Sequence, residues 1–333
     1  MHRRNALRGL GLGLFVTFSP VLAWAQQSGR LPTVGYVSEG SQVAGTPSRV
    51  IDAFLQGLKD LGYVDGKNIR MEYRFTDRKP ERLPEVAAEL AALKVDVIVT
   101  ESGTAAIHAK KATQSIPIVM GGSGNPVGQG LVASLERPGG NVTGLTDWAP
   151  DMVRNRLQVL GEMLPMLARV GVLWPGPGNP VMEREWAETA TAARLLGMQI
   201  HPVVVQGAAD LPAAFAEATR QKLQAVVIFA LPNLIAAAGT QIAELATANR
   251  LSIVSHMPRY PMGGGLMSYG ANPLTFSRQA ASYVDRILKG ASPAELPVEG
   301  PKKVWMVINL KAAKAIDLTI PPSLLAKADE VIQ

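Results

Sequence analysis

Short apolar runs alternate with amphipathic stretches along most of the chain, and that alternation predicts an α/β protein. Residues 31–37 (LPTVGYV), 95–100 (VDVIVT) and 116–120 (IPIVM) are near-continuous apolar runs of strand length, as in a sheet covered on both faces. Residues 69–75 alternate apolar and polar and predict a further strand. Between these runs, residues 47–61 put Val50, Phe54, Leu58 and Leu61 on one helical face, and Gly62 ends that helix. Residues 80–93 and 104–113 predict two more helices. The order is βαβα with short connections, which gives a doubly wound parallel sheet.

Residues 116–145 organise the rest of the chain. The strand 116–120 breaks into Gly121-Gly122-Ser123-Gly124-Asn125-Pro126, a glycine-rich loop at a strand's carboxyl end. Open α/β sheets place ligands at such ends, and glycine lets backbone come close to what is bound. A short amphipathic piece at 127–135 and the turn Arg137-Pro138-Gly139-Gly140 lead to a strand at 141–145. This stretch reads as the rim of a cleft followed by a crossing between lobes.

From residue 151 the pattern starts again. Helices are predicted at 152–164, 181–196, 210–221 and 234–248, and strands at 169–174, 199–205, 225–229 and 251–255. Asp210 stands where it would cap its helix, with Pro212 in the first turn. A strand at 264–269 feeds a helix at 273–288, and a strand at 304–309 precedes a tail with a short helix, a Pro321-Pro322 break and a final helical turn. The halves, about 31–146 and 147–270, repeat one architecture without sharing residue identities.

Composition narrows the function classes. There is no cysteine among the 333 residues, which excludes disulfides, thiolate metal ligands, cysteine nucleophiles and a lipid-anchored N-terminal cysteine. Residues 1–25 are predicted to be a signal peptide: Arg3, Arg4 and Arg8 form its basic end, 9–18 its apolar stretch and Ala23-Trp24-Ala25 its cleavage site. The apolar stretch is shorter than the roughly 20 residues a membrane span needs. Arg3-Arg4 leaves the twin-arginine and general secretory routes both open, and either ends in the periplasm. Three of the 33 basic residues lie in this segment, so the mature chain is only weakly basic against its 27 acids. With no Lys/Arg cluster beyond pairs, a nucleic-acid partner is not expected.

Several stretches carry a family resemblance. FLQGLKDLGYVDGKNIRMEYR (54–74), RLPEVAAELAALKVDVIVT (82–100), NPVGQGLVASLERPGGNVTGL (125–145), YVDRILKGASPAELPVE (283–299) and VINLKAAKAIDLTIPPSLLAKADEVI (307–332) together resemble the periplasmic substrate-binding proteins of ABC transporters, in the subgroup of tryptophan and tyrosine binders. The resemblance covers essentially all of the mature chain. It implies a type I periplasmic-binding fold: two doubly wound parallel-sheet lobes, 31–146 plus 273–300 and 147–272 plus 301–333, joined by three crossings near 145–148, 269–272 and 300–304. It implies a monomer without cofactor that closes on a small-molecule solute and docks on an ABC permease. A periplasmic ligand sensor that serves a receptor has the same fold. An exported α/β enzyme is the third class, and the sequence offers it little: there is no G-x-S-x-G elbow, the glycines near 122 miss dinucleotide-binding spacing, and His108, His201 and His256 are scattered.

Ligand contacts are expected from strand-end loops of both lobes. In the first lobe these are Ser38 with the loop after it, Glu101-Ser102-Gly103-Thr104, and Gly122, Ser123 and Asn125. Ser102 to Thr104 open a helix and offer hydroxyls and free N–H groups to an anion, or merely cap the helix. The second lobe offers Trp148 at the first crossing, Trp174, Asn233, His256, Arg259 and Tyr260. Trp174 ends a strand, where it either stacks a planar ligand or fills the core. Arg259 is either a bidentate carboxylate clamp or a solvated loop residue. Relatives carry Asp where this chain has Asn125, and often in the loop where it has Leu231-Pro232-Asn233; Glu101 is the acid that remains. A buried ammonium wants a carboxylate. The sequence therefore predicts a carboxylated, possibly aromatic ligand without a free ammonium.

Overall fold

The computed structural model describes residues 30–41, 48–148, 150–178, 180–229 and 232–333. The signal-peptide expectation falls outside them. In the first half the elements are β1 (Thr33–Ser38), α1 (Arg49–Asp60), β2 (Arg70–Phe75), α2 (Leu83–Ala92), β3 (Val97–Thr100), α3 (Gly103–Ala112), β4 (Ile118–Met120) and β5 (Val142–Gly144). The five strands form one parallel sheet in the order β2-β1-β3-β4-β5. The second half holds α4 (Pro150–Met163), β6 (Arg169–Trp174), α5 (Pro180–Leu195), β7 (Gln199–Val204), α6 (Leu211–Arg220), β8 (Ala225–Ile228), α7 (Pro232–Ala248), β9 (Ser252–Ser255), α8 (Arg259–Met262) and β10 (Met267–Ala271). The chain ends with α9 (Pro273–Leu288), β11 (Val304–Asn309), α10 (Leu310–Ala315), α11 (Pro322–Lys327) and β12 (Glu330–Ile332). The second sheet has the order β12-β11-β10-β9-β8-β6-β7, parallel except where β11 runs antiparallel to β10.

Both sheets are wound the same way. Each starts one strand in from an edge, on β1 or β6, and reverses direction there: β2 and β3 flank β1, and β7 and β8 flank β6. Such reversals open a crevice at the carboxyl ends of the strands. Strand residues such as Val34, Ile98, Val119, Val172 and Val227 are buried, which is why these strands read as unbroken apolar runs.

The chain passes between sheets three times. It leaves the first after β5, returns after β10 as α9, and leaves again towards β11. α9 seals the first sheet against α1, with Phe276, Ala280 and Tyr283 packed on Phe54 and Leu58. Gly57 permits that close approach, because a Cβ there would sit 2.5 Å from the carbonyl oxygen of Arg278. Two of the passing segments run side by side: Leu145 pairs in parallel with Glu299, and Thr146 N–H donates to the Glu299 carbonyl at 2.9 Å.

The structure adds detail to the local reading at three places and departs from it at Asp210. The short amphipathic piece at 127–135 is a turn and irregular chain; Gly130 takes a φ of +67°, and Leu131 and Val132 reach the core from irregular backbone. Asp210 does not cap α6: its carboxylate accepts from the N–H groups of Gln206 and Gly207, one turn earlier. The tail forms its short helix as α10 and its final helical turn as α11 after the Pro321-Pro322 break, but then adds β12, an unforeseen strand on the edge of the second sheet.

Candidate functional site

A cavity of about 620 Å³ lies where strand-end loops of both sheets converge. On the first-sheet side, β3 ends at Thr100, Glu101 follows it, and Ser102 stands just before α3. Ser102 accepts from the Ala105 N–H at 3.1 Å, so it caps α3, and it donates its own hydroxyl to Glu39. Gly103 and Thr104 then leave helix-start N–H groups at the cavity wall. Gly103 keeps this packing close: a Cβ there would meet the Ser123 hydroxyl at 2.6 Å and the Gln129 amide oxygen at 2.7 Å, so both side chains would have to shift. Ser123 in turn donates to Gln129 at 2.6 Å, and the Ser123 carbonyl accepts from Thr146 at 2.6 Å.

Glu101 is already engaged. It accepts from the Glu39 N–H at 3.1 Å and from the Tyr36 hydroxyl at 3.4 Å. Burial pushes its carboxyl above the usual range; the Glu39 N–H opposes that, and the Glu39 charge adds to it. Asn125 lines the cavity but spends its side-chain oxygen on the Gly128 N–H at 2.8 Å, holding the 125–128 turn.

The opposite wall comes from the first crossing, α4, α5 and the end of β9. Asp147 and Trp148 follow β5, Arg156 reaches in from α4, Arg184 and Glu185 come from α5, and His256 follows β9. Arg156 is 4% exposed. It contacts Glu185 at 3.5 Å and donates to the Tyr269 carbonyl at 3.4 Å. Asp147 Oδ1 is buried and has no protein partner. Burial raises its carboxyl above the usual range, and the Arg156 charge offsets part of that. His256 is driven down to about 3 by burial and by Arg156 beside it. Apolar wall comes from Tyr36, Met152, Val153, Met182 and Phe276.

The structure thus brings Glu101, Ser102, Gly103, Thr104, Gly122, Ser123, Asn125, Trp148 and His256 to one cavity, and leaves four candidates outside its lining. Ser38 is buried and accepts from the Gly40 N–H at 3.2 Å, shaping its own loop. Trp174 fills core space, stacked on Trp186 with centroids 4.8 Å apart. Tyr260 is buried in the second-lobe core beneath Gly265. Arg259 beside it is exposed. The Asn233 side chain falls outside the described part of the structure.

Sequence reasoning missed Tyr36, Asp147, Arg156 and Phe276. A signal for Arg156 was present: Met152, Val153, Arg156, Leu157 and Leu160 share the buried stripe of α4, and an arginine in such a stripe must meet a partner. The expectation of a ligand without a free ammonium rested on two loops that lack Asp, with Glu101 as the acid that remains; the cavity lining also holds Asp147, an acid at the first crossing that this reasoning did not weigh.

A family model described as ABC transporter substrate binding protein matches residues 46–332. The chain belongs to that family. Its members are binding proteins and not enzymes. The chain is 25% identical over 282 residues to a tyrosine-binding protein of Clostridioides difficile, a match covering 84% of this chain and 80% of the relative. Among solved structures, a conserved domain protein from Vibrio cholerae is 27% identical with a TM-score of 0.78, covering 91% of this chain and 100% of that one. An ABC domain in complex with L-Trp from Streptococcus pneumoniae is 23% identical with a TM-score of 0.77, at the same coverage. The architecture is the type I periplasmic-binding fold, which sugar-binding proteins share. No described helix is long and apolar enough to cross a membrane.

Proposed function

We propose that this protein captures an aromatic α-amino acid in the cavity between its two sheets and delivers it to the permease of an ABC importer, acting outside the cytoplasm after its leader is removed. The observation that carries this reading is the composition of one cavity. It joins aromatic and methionine surface (Tyr36, Phe276, Trp148, Met152) to a helix start suited to a carboxylate and a carboxylate suited to an ammonium. The tyrosine-binding relative supports the same ligand class. The start of α3 takes the ligand carboxylate, Trp148 and Phe276 flank its ring, and closure of the lobes excludes water.

A thermal-shift series tests it. Tyrosine, tryptophan and phenylalanine are set against leucine, glucose and a dicarboxylic acid, using protein refolded free of bound ligand. A ligand at 100 times its Kd adds about 2.7 kcal/mol to stability. Stabilisation by aromatic amino acids and not by leucine or glucose is expected. Stabilisation by glucose alone would overturn the reading.

A further inference from the structure

We infer that Asp147 and His256 select the protonated amino group of the ligand; this assignment rests on the amino-acid reading above. Buried polar atoms nearly always have partners, and those that lack them call for an explanation. Among the described residues that line the cavity, two buried side-chain atoms have no protein partner: Oδ1 of Asp147 and Nδ1 of His256. Both are acceptors. With its proton on Nε2, the neutral imidazole of His256 offers the unpartnered Nδ1 as a lone-pair acceptor.

The surroundings fit a donor-rich cation. An ammonium brings three N–H donors and no acceptor, so it is satisfied by a carboxylate and a neutral imidazole nitrogen. Arg156 lies close enough for its charge to act on both Asp147 and His256, yet Glu185 accompanies it. Asp147 therefore stays available to a ligand cation. Glu101, the other acid of the cavity, already accepts from Glu39 and Tyr36.

The acceptor end also adjoins the donor end. Gly103 at the start of α3 touches Ser123, the carbonyl of Ser123 is held by Thr146, and Asp147 follows Thr146. Asp147 Oδ1 lies 3.9 Å from where a Cβ on Gly124 would stand, which ties it to the same loop. A carboxylate site and an ammonium site separated by one loop match a zwitterion, whose two charges sit on neighbouring carbons.

The test pairs each amino acid with its deaminated analogue: tryptophan with indole-3-propionate, and tyrosine with 3-(4-hydroxyphenyl)propionate. Affinities are measured by calorimetry on wild type, Asp147→Asn, His256→Leu and His256→Gln. Wild type should favour each amino acid over its analogue by about 100-fold or more, the scale at which a site built for a polar group rejects a ligand lacking it. Asp147→Asn should weaken the amino acid by about 10- to 1,000-fold and leave the analogue within a few fold, closing the gap. His256→Leu should weaken the amino acid about tenfold, with partial rescue by His256→Gln, whose amide oxygen restores an acceptor. Equal affinity of wild type for amino acid and analogue overturns the assignment, whether or not any variant folds. A gap that survives Asp147→Asn overturns it as well. Wild type that binds neither member of a pair overturns instead the amino-acid reading beneath it.

Discussion

Arg184 lays its guanidinium over the indole of Trp148, 4.4 Å from the ring centroid. The arginine comes from α5 in the second half of the chain, and the tryptophan follows β5 at the first crossing, so the contact braces that crossing against the second lobe. Arg184 also donates to Glu188 at 2.8 Å, which aims it. Its side chain is 50% exposed, so the cation–π attraction is of the weaker, surface kind. Arg184→Ala should cost about 0.5–1 kcal/mol in denaturant unfolding. Trp148→Ala should act chiefly on ligand affinity, because both side chains line the cavity but the ring supplies its flat apolar wall while the arginine is half-exposed and engaged by Glu188. Equal loss of affinity in both variants would refute this division of roles.

The Arg156–Glu185 pair makes a larger demand. The two side chains are 5% and 12% exposed, at 3.5 Å. Removing one charge leaves the other in a poorly solvated wall. Arg156→Met should therefore destabilise by about 3–5 kcal/mol, while the double variant Arg156→Met/Glu185→Met should recover part of that loss. Chemical unfolding of the three proteins measures the difference. A double variant less stable than Arg156→Met would show that Glu185 is supported mainly by its other contacts.

Much of the fold is legible because strand cores such as Val34–Val37 and Val97–Thr100 are buried on both faces and carry their signal in consecutive residues. The strand-end loops inherit that clarity, and Glu101 to Thr104 and Gly122 to Asn125 do line the cavity. What stays hidden depends on contacts between distant segments. The side of α8 that faces inward is decided by Tyr260 packing under Gly265, which turns Arg259 outward. Trp174 meets Trp186 only once α5 lies on the second sheet. Val127 to Leu135 have helical spacing, but glycines at 128 and 130 weaken the helix, and Asn125 draws the Gly128 N–H into a turn.

Arg259 serves as a negative control for the site. It is exposed on α8 and absent from the cavity lining. Arg259→Ala should leave ligand affinity within about twofold of wild type and stability within about 0.5 kcal/mol, as for a surface site free of special contacts. A tenfold loss of affinity would mean that lobe closure carries Arg259 onto the ligand.

Acid should act on the fold through His256 in a direction that can be fixed. Its folded pKa is lowered to about 3 from an ordinary 6.5, by burial first and by Arg156 second. Between those values the unfolded chain binds a proton that the native chain refuses, so this group lowers stability as pH falls from about 6.5 towards 3. Asp147 and Glu101 act the other way: burial raises both, so the native state binds their protons more readily and stability falls as pH rises through their raised values. The two effects overlap, and a single wild-type curve would blur them. Subtracting the unfolding free energy of His256→Leu from that of wild type at each pH cancels most of the carboxylate contribution. The difference should fall with acidification across this window, with a slope of up to about 1.4 kcal/mol per pH unit. A flat difference between pH 7 and pH 4 would mean that His256 accepts a proton in the folded protein, and that its Nδ1 is not the standing acceptor assigned to the ligand's ammonium.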